Sequence, residues 1–349
     1  MSQIQQLMDA CHEQSASDLH LSVGRPALMR VRGGLVEQPG EALTDADLEA
    51  MIREISPERN QHELAEVGST DFGYAHGDKC RFRVSVLTQR GHRGMVMRLI
   101  PQQLLSFEQI GLPQAVQDLL KLHRGLILVT GPTGSGKSTT LATMVDWINA
   151  MRDVHIVTIE DPIEFYHGPR LGQVTQREVG TDVPSFAEAM RRVLRQDPDV
   201  ILLGEMRDLE TTSAAITAAE TGHLVFGTLH TTGTARTVDR IIDQYPTAQQ
   251  EQIRSQLAVA LVAVISQILV PTADGGRAAA FEIMVTNPAI ENHIRKGETF
   301  KIPSVIQTSR RTGMVLLDDC LLDLYRGGRI EKETAMERCI DRTHMQNRL

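Results

Sequence analysis

With 349 residues, 41% hydrophobic and 23% charged, the chain is longer than one simple core needs and suits two domains of ordinary globular composition. A net charge of −8 gives no general electrostatic footprint for nucleic acid. Its four cysteines, Cys11, Cys80, Cys320 and Cys339, form no Cys-x-x-Cys pair, which argues for a reducing cytoplasm and against structural zinc.

Met1 to Gln6 lack the basic and apolar regions of a secretory signal. Residues 1–100 read as a small mixed domain with an opening helix, a strand-like Asp18-Leu-His-Leu21, and alternating runs at 82–86 and 94–100. Thr44-Asp-Ala-Asp47 ahead of Leu48 and Met51 is a helix-start pattern. Pro101 interrupts the last run, and residues 101–122 form a linker and lead-in helix passing through Gly111-Leu-Pro113. From residue 123 to 349 a second domain is expected. Its short apolar runs at 126–129, 156–159, 200–203 and 224–226 alternate with helical segments, the pattern of a parallel α/β sheet. The apolar stretch 257–270 carries Ser266 and Gln267 and is read as a buried helix, too short to span a membrane. Beyond Gly275-Gly276 the chain is expected to be largely helical, from about residue 280, with Asn287-Pro288 opening one helix. Arg191, Arg192 and Arg195 are flanked by acids and read as solvated or interface charge rather than a phosphate track.

The second domain's first strand leads into Gly131-Pro132-Thr133-Gly134-Ser135-Gly136-Lys137-Ser138-Thr139, a complete Gly-x4-Gly-Lys-[Ser/Thr] phosphate loop. Leu141, Met144, Val145 and Ile148 follow at helical spacing. The glycines let backbone N–H groups turn inward on a phosphate, Lys137 reaches the β/γ oxygens and the Ser138 hydroxyl takes a place on Mg²⁺. The following helix adds its positive end.

Three further clusters stand at strand ends. Glu160, Asp161 and Glu164 could orient metal-bound or attacking water. Asp199-Val-Ile-Leu-Leu-Gly-Glu205 reads as a Walker B strand with Gly204 where many motors place an aspartate. Glu205 is the first choice for Mg²⁺ coordination or water activation and Glu164 the rival base, and the residues do not divide those roles. His223 and His230 flank a third strand, and either could meet a γ-phosphate or a neighbouring subunit. Asn-Lys-x-Asp and Leu-Ser-Gly-Gly-Gln motifs are absent, which favours ATP over GTP and argues against a transporter ATPase.

Ser17-Asp-Leu-His-Leu21, the phosphate loop through Thr139, Glu160-Asp-Pro-Ile-Glu164, Gly204-Glu-Met-Arg-Asp208, Gly222-His-Leu-Val and Thr228-Leu-His-Thr231 occur in succession. Together they resemble the boxes of the type II/type IV pilus secretion ATPase superfamily, and within it the PilT-like retraction motors, over nearly the whole chain. The resemblance implies a RecA-like P-loop ATPase core, a PAS-like N-terminal domain, a helical C-terminal segment and a cytoplasmic homohexamer with ATP sites between domains. Arg83 and Arg98 would neutralise the bound phosphates. It further implies action beneath the inner membrane on a platform protein, without membrane insertion or nucleic acid, to drive pilus disassembly and twitching. A second retraction ATPase is a possible companion. Assembly and secretion relatives carry a longer N-terminal region and often a Cys-x-x-Cys insertion; this chain has neither. The segment 282–295 resembles the retraction family's Ala-Ile-Arg-Asn-Leu-Ile-Arg helix, with Glu291 and His293 replacing its first Arg and its Leu. That departure keeps an accessory motor of the same class open.

Overall fold

The computed structural model describes residues 1–31, 33–77, 79–100 and 104–349. The expected break at Pro101 and the start of the linker lie outside them. The chain divides into two compact units, one of Met1–Gln103 with Pro162–Tyr166, the other of Leu104–Asp161 with His167–Leu349. The inclusion of 162–166 in the first unit was not anticipated. Ile163 and Phe165 are buried, and the Arg81 guanidinium lies 4.4 Å from the centre of the Tyr166 ring, so apolar burial and a cation–π contact fix the segment there.

In the first unit six strands, β1 (Asp18–Ser22), β2 (Leu28–Val31), β3 (Gly34–Glu37), β4 (Ser69–His76), β5 (Cys80–Gln89) and β6 (His92–Ile100), form an antiparallel sheet in the order β3-β2-β1-β6-β5-β4. Alternation sends Leu19, Leu21, Phe82, Val84, Val86, Met95 and Met97 into a core with Ile4 and Met8 of the opening helix and Leu48 and Met51 of the helix Asp45–Ile55. That second helix starts where the sequence predicts. Thr44 Oγ1 accepts from the Asp47 N–H at 3.2 Å, and Asp47 accepts from the Thr44 N–H at 2.9 Å.

The second unit is built on β7 (Gly125–Thr130), β8 (His155–Glu160), β9 (Gln173–Glu178), β10 (Val200–Leu203), β11 (Leu224–Leu229), β12 (Leu261–Pro271) and β13 (Arg277–Val285), in the order β13-β12-β7-β11-β10-β8-β9. All neighbours are parallel except β12 and β13. β7, β10 and β11 are buried along their whole lengths, which is why they read as unbroken apolar runs. Helices cover the sheet, and the fold is a RecA-like ATPase core joined to a PAS-like unit.

Two expectations are corrected. The stretch 257–270 is not one helix. The helix Gln250–Ala260 ends within it and β12 begins at Leu261. Val262, Val264, Ile265, Ile268 and Val270 are β-branched and fit a sheet, and a continuous apolar run has no periodicity to distinguish the two states. Residues 277–285 likewise form a strand, closing the sheet edge against β12. The helical segment starts after it, with Pro288–Lys296 capped by Asn287 as expected.

Candidate functional site

The parallel strands β7, β11, β10 and β8 deliver their carboxyl ends to one edge of the sheet, where α/β folds bind ligands. The phosphate loop follows β7, His230 follows β11, Gly204-Glu205 follows β10, and Glu160 ends β8.

The helix Lys137–Met151 opens directly from the loop, with Leu141, Met144, Val145 and Ile148 buried beneath it. Gly131 and Gly136 hold left-handed backbone at φ 144° and 88°. Space demands glycine as well. A Cβ on Gly131 would stand 2.1 Å from the Gln267 carbonyl oxygen, and one on Gly136 would stand 3.2 Å from Gln267 Nε2. Lys137 Nζ donates to the carbonyl oxygens of Gly131 at 2.8 Å and Pro132 at 3.1 Å, so the ammonium is held inside the loop's own curve. Pro132, Thr133, Gly134 and Ser138 are exposed, Thr139 is half-buried and Ser135 is buried.

At the same sheet edge, with β11 between its strand and that of the loop, stands the Glu205 carboxylate. Glu205 pairs with Arg207 at 2.7 Å and with His230 Nε2 at 3.1 Å. Burial pushes the Glu205 carboxyl up, but Arg207 and then His230 outweigh it and hold the group below the usual carboxylate range. Arg207 is raised in turn, chiefly by its bond to Glu205. The Met206 N–H donates to the Thr228 carbonyl at 3.0 Å and Thr228 Oγ1 donates to the Gly204 carbonyl, which ties the Glu205 turn to β11. A Cβ on Gly204 would press within 3.2 Å of Glu160 Cα. That close approach leaves little room for an aspartate side chain at 204. Glu160 itself accepts from Thr158 Oγ1 at 2.6 Å and Gln176 Nε2 at 3.2 Å.

Of the two histidines, only His230 joins this edge. His223 precedes β11 at its far end, with Nδ1 3.0 Å from the Ala218 carbonyl, and its place is structural. Glu164 belongs to the segment 162–166 of the first unit. Within that unit Arg83 and Arg98 are cross-strand partners on β5 and β6, both exposed on the face opposite the core. Asp18, largely buried, accepts from Arg98 Nε at 2.9 Å and Ser17 Oγ at 2.8 Å and lies 3.7 Å from Arg30. Burial works against the Asp18 carboxylate, yet Ser17 and Arg98 hold its pKa below the usual range. Arg191 and Arg192 pair with Glu188, and Arg195 caps its own helix, so this basic stretch is satisfied locally. On the helix Pro288–Lys296, Glu291 pairs with Arg295 at 2.7 Å and His293 with Glu298 at 3.2 Å.

Arg207, Thr228 and Gln267 were not singled out as site residues. Arg207 lay inside a quoted motif, and Gln267 was visible as a polar residue in an apolar run. The Ser138 hydroxyl and Glu205 carboxylate are hard oxygen donors of the kind Mg²⁺ takes. Among the described residues no group of three or more His, Cys, Asp or Glu could hold a metal unaided, so such an ion would rest on these donors together with phosphate oxygens.

A phosphate loop at the carboxyl edge of a RecA-like sheet, with a carboxylate cluster beside it, defines a P-loop nucleotide-binding ATPase. The chain belongs to the Type II/IV secretion system protein family, whose model matches residues 3–296. It is 46% identical over 335 residues to the Type IV pilus retractation ATPase PilT of Pseudomonas aeruginosa, covering 96% of this chain and 97% of that protein. It is 45% identical over 312 residues to the Twitching motility protein of Neisseria gonorrhoeae, covering 89% and 83%. A crystal structure of the pilus retraction motor PilT with bound ADP superposes with a TM-score of 0.91 at 42% identity, covering 99% of each chain.

Proposed function

We propose that this chain is the ATP-hydrolysing motor that retracts a type IV pilus and so powers twitching motility. The observation that carries the reading is 46% identity to a retraction ATPase across 96% of the chain, with the phosphate loop and the Glu205 cluster assembled at one sheet edge. Lys137 and the loop N–H groups hold the β/γ-phosphates. Ser138 and Glu205 would hold Mg²⁺, which when bound neutralises charge on the transferring phosphoryl group. Glu205, kept ionised by Arg207 and His230, orients the attacking water, with Glu160 and Glu164 as supporting carboxylates. Arg83 and Arg98 answer the charge of the γ-phosphate. The working form is a homohexameric ring on the cytoplasmic face of the inner membrane, distorting as ATP turns over and acting on a membrane-embedded platform protein. No helix among the described residues is long and apolar enough to cross a membrane.

Deleting the chain in its own host and counting surface pili tests this, with wild-type and Lys137→Ala complements. Excess pili without twitching, rescued only by the wild type, is the expected result. Bald cells would make it an assembly motor, and unchanged pili and motility would remove it from the pilus altogether.

A further inference from the structure

We propose that Gln267 of β12 is the positioning residue that holds the phosphate loop in its nucleotide-accepting shape. The side chain is 1% exposed in an otherwise apolar strand, a burial that is unfavourable unless both ends of the amide are bonded. Both are. Nε2 donates to the Ser135 carbonyl at 2.6 Å, and Oε1 accepts from Thr140 Oγ1 at 2.9 Å. One amide thus spans the end of the loop and the first turn of the helix after it.

The backbone of the same residue sets the other end of the loop. Residue 266 is in register with Thr130, which places position 267 beside Gly131, and its carbonyl oxygen fills the space where a Gly131 side chain would be. A trans peptide points its C=O and N–H in opposite directions. Holding the Ser135 oxygen toward β12 therefore turns the Gly136 N–H away from β12, and among the described residues no acceptor takes it. An inward N–H at this position is what a phosphate oxygen needs. Ser266, on the opposite face of the strand, accepts from the Gly233 N–H at 2.8 Å, so the same strand also anchors the turn after His230.

This inference rests on the loop being the nucleotide site. Gln267→Glu tests it with little change of volume. The carboxylate can still accept from Thr140 but sets oxygen against oxygen at Ser135, whereas the protonated acid donates as the amide does. A fluorescent ADP analogue is titrated into the full-length protein across a pH series, with steady-state ATPase in parallel. The expected result is a Kd in the variant that stays near wild type while the buried acid is protonated and weakens about 10- to 100-fold, about 1.4–2.7 kcal/mol, at the alkaline end of the series once it ionises. The loss should recover on acidification in the variant alone, with kcat at saturating ATP within about threefold of wild type. Wild-type affinity across the whole pH series, a loss that ignores pH, or a fall in kcat with KM unchanged would overturn the proposal. If Gln267→Glu does not fold, Thr140→Val decides, since it frees one end of the amide. A weakened Kd supports the proposal and an unchanged one overturns it. Failure of the wild-type protein to bind the analogue would instead sink the nucleotide reading itself.

Discussion

Glu205→Gln keeps the size of the side chain and removes its charge, and the two consequences differ in scale. Arg207 is mostly exposed, so loss of the ion pair at 2.7 Å costs about 1 kcal/mol of stability or less. Loss of a positioned carboxylate that orders the attacking water costs about 10²- to 10⁴-fold in rate, roughly 2.7–5.4 kcal/mol of barrier. Phosphate release at saturating ATP, the ADP affinity and the thermal midpoint together separate these terms. Turnover should collapse while affinity and midpoint stay near wild type. Turnover within about threefold of wild type, about 0.7 kcal/mol, would refute the role given to Glu205. The pH dependence follows from the same contacts. Burial alone would raise the carboxyl, and Arg207 and His230 lower it on balance, so the stability it contributes is present above the unfolded value and lost as pH falls through the lowered folded one. The acid limb of activity therefore lies below the ordinary glutamate range. Arg207→Ala leaves burial less opposed and should move that limb upward; an unmoved limb would refute the electrostatic account.

Gly131→Ala places a methyl 2.1 Å from a backbone oxygen at φ 144°, and it should cost roughly 1–3 kcal/mol and abolish ADP binding; a normal melt with normal binding would show that the loop yields. Asp18→Ala removes the anchor of Arg98, and it should lower the thermal midpoint by the equivalent of about 1–3 kcal/mol. Because the Asp18 pKa is lowered on folding, that stability disappears as pH falls through the folded value, and the acid slope of the midpoint should flatten in the variant. Arg83→Ala should leave the midpoint within about 0.5 kcal/mol of wild type while reducing turnover at least about tenfold; equal turnover would remove Arg83 from the site.

The nucleotide strand, its loop and the helix behind it were legible because each signal agreed with the next: an apolar run, a glycine-rich turn, then apolar residues at helical spacing. The Thr44–Asp47 cap and the Asn287 start were legible for the same reason, since a single side chain sets each helix start. β12 and β13 were not. A run such as Leu261–Val270 is apolar at every position but two, and only its pairing with β7 and β13 decides between strand and helix. Glu205 was found from the strand ahead of it, but His230 as its partner depends on how β10 and β11 align, which no local pattern encodes. The attachment of 162–166 to the first unit was equally invisible, because Arg81 and Tyr166 lie far apart in the chain.

Local rules are broken at three places, and how each break is offset indicates what the position does. Gln267 puts an amide into a buried strand, and the cost is met by the two bonds that shape the phosphate loop. Glu205 puts a carboxylate into partial burial, met by Arg207 and His230 at the price of fixing its direction. Arg83 and Arg98 set like charges opposite one another on adjacent strands, an arrangement that costs stability. Asp18 offsets Arg98 alone. Among the described residues the exposed Arg83 side chain has no hydrogen bond or ion pair, so among them only solvent offsets its charge. On the proposed reading the phosphates of the nucleotide would supply that offset, and the gain would then appear on binding rather than on folding.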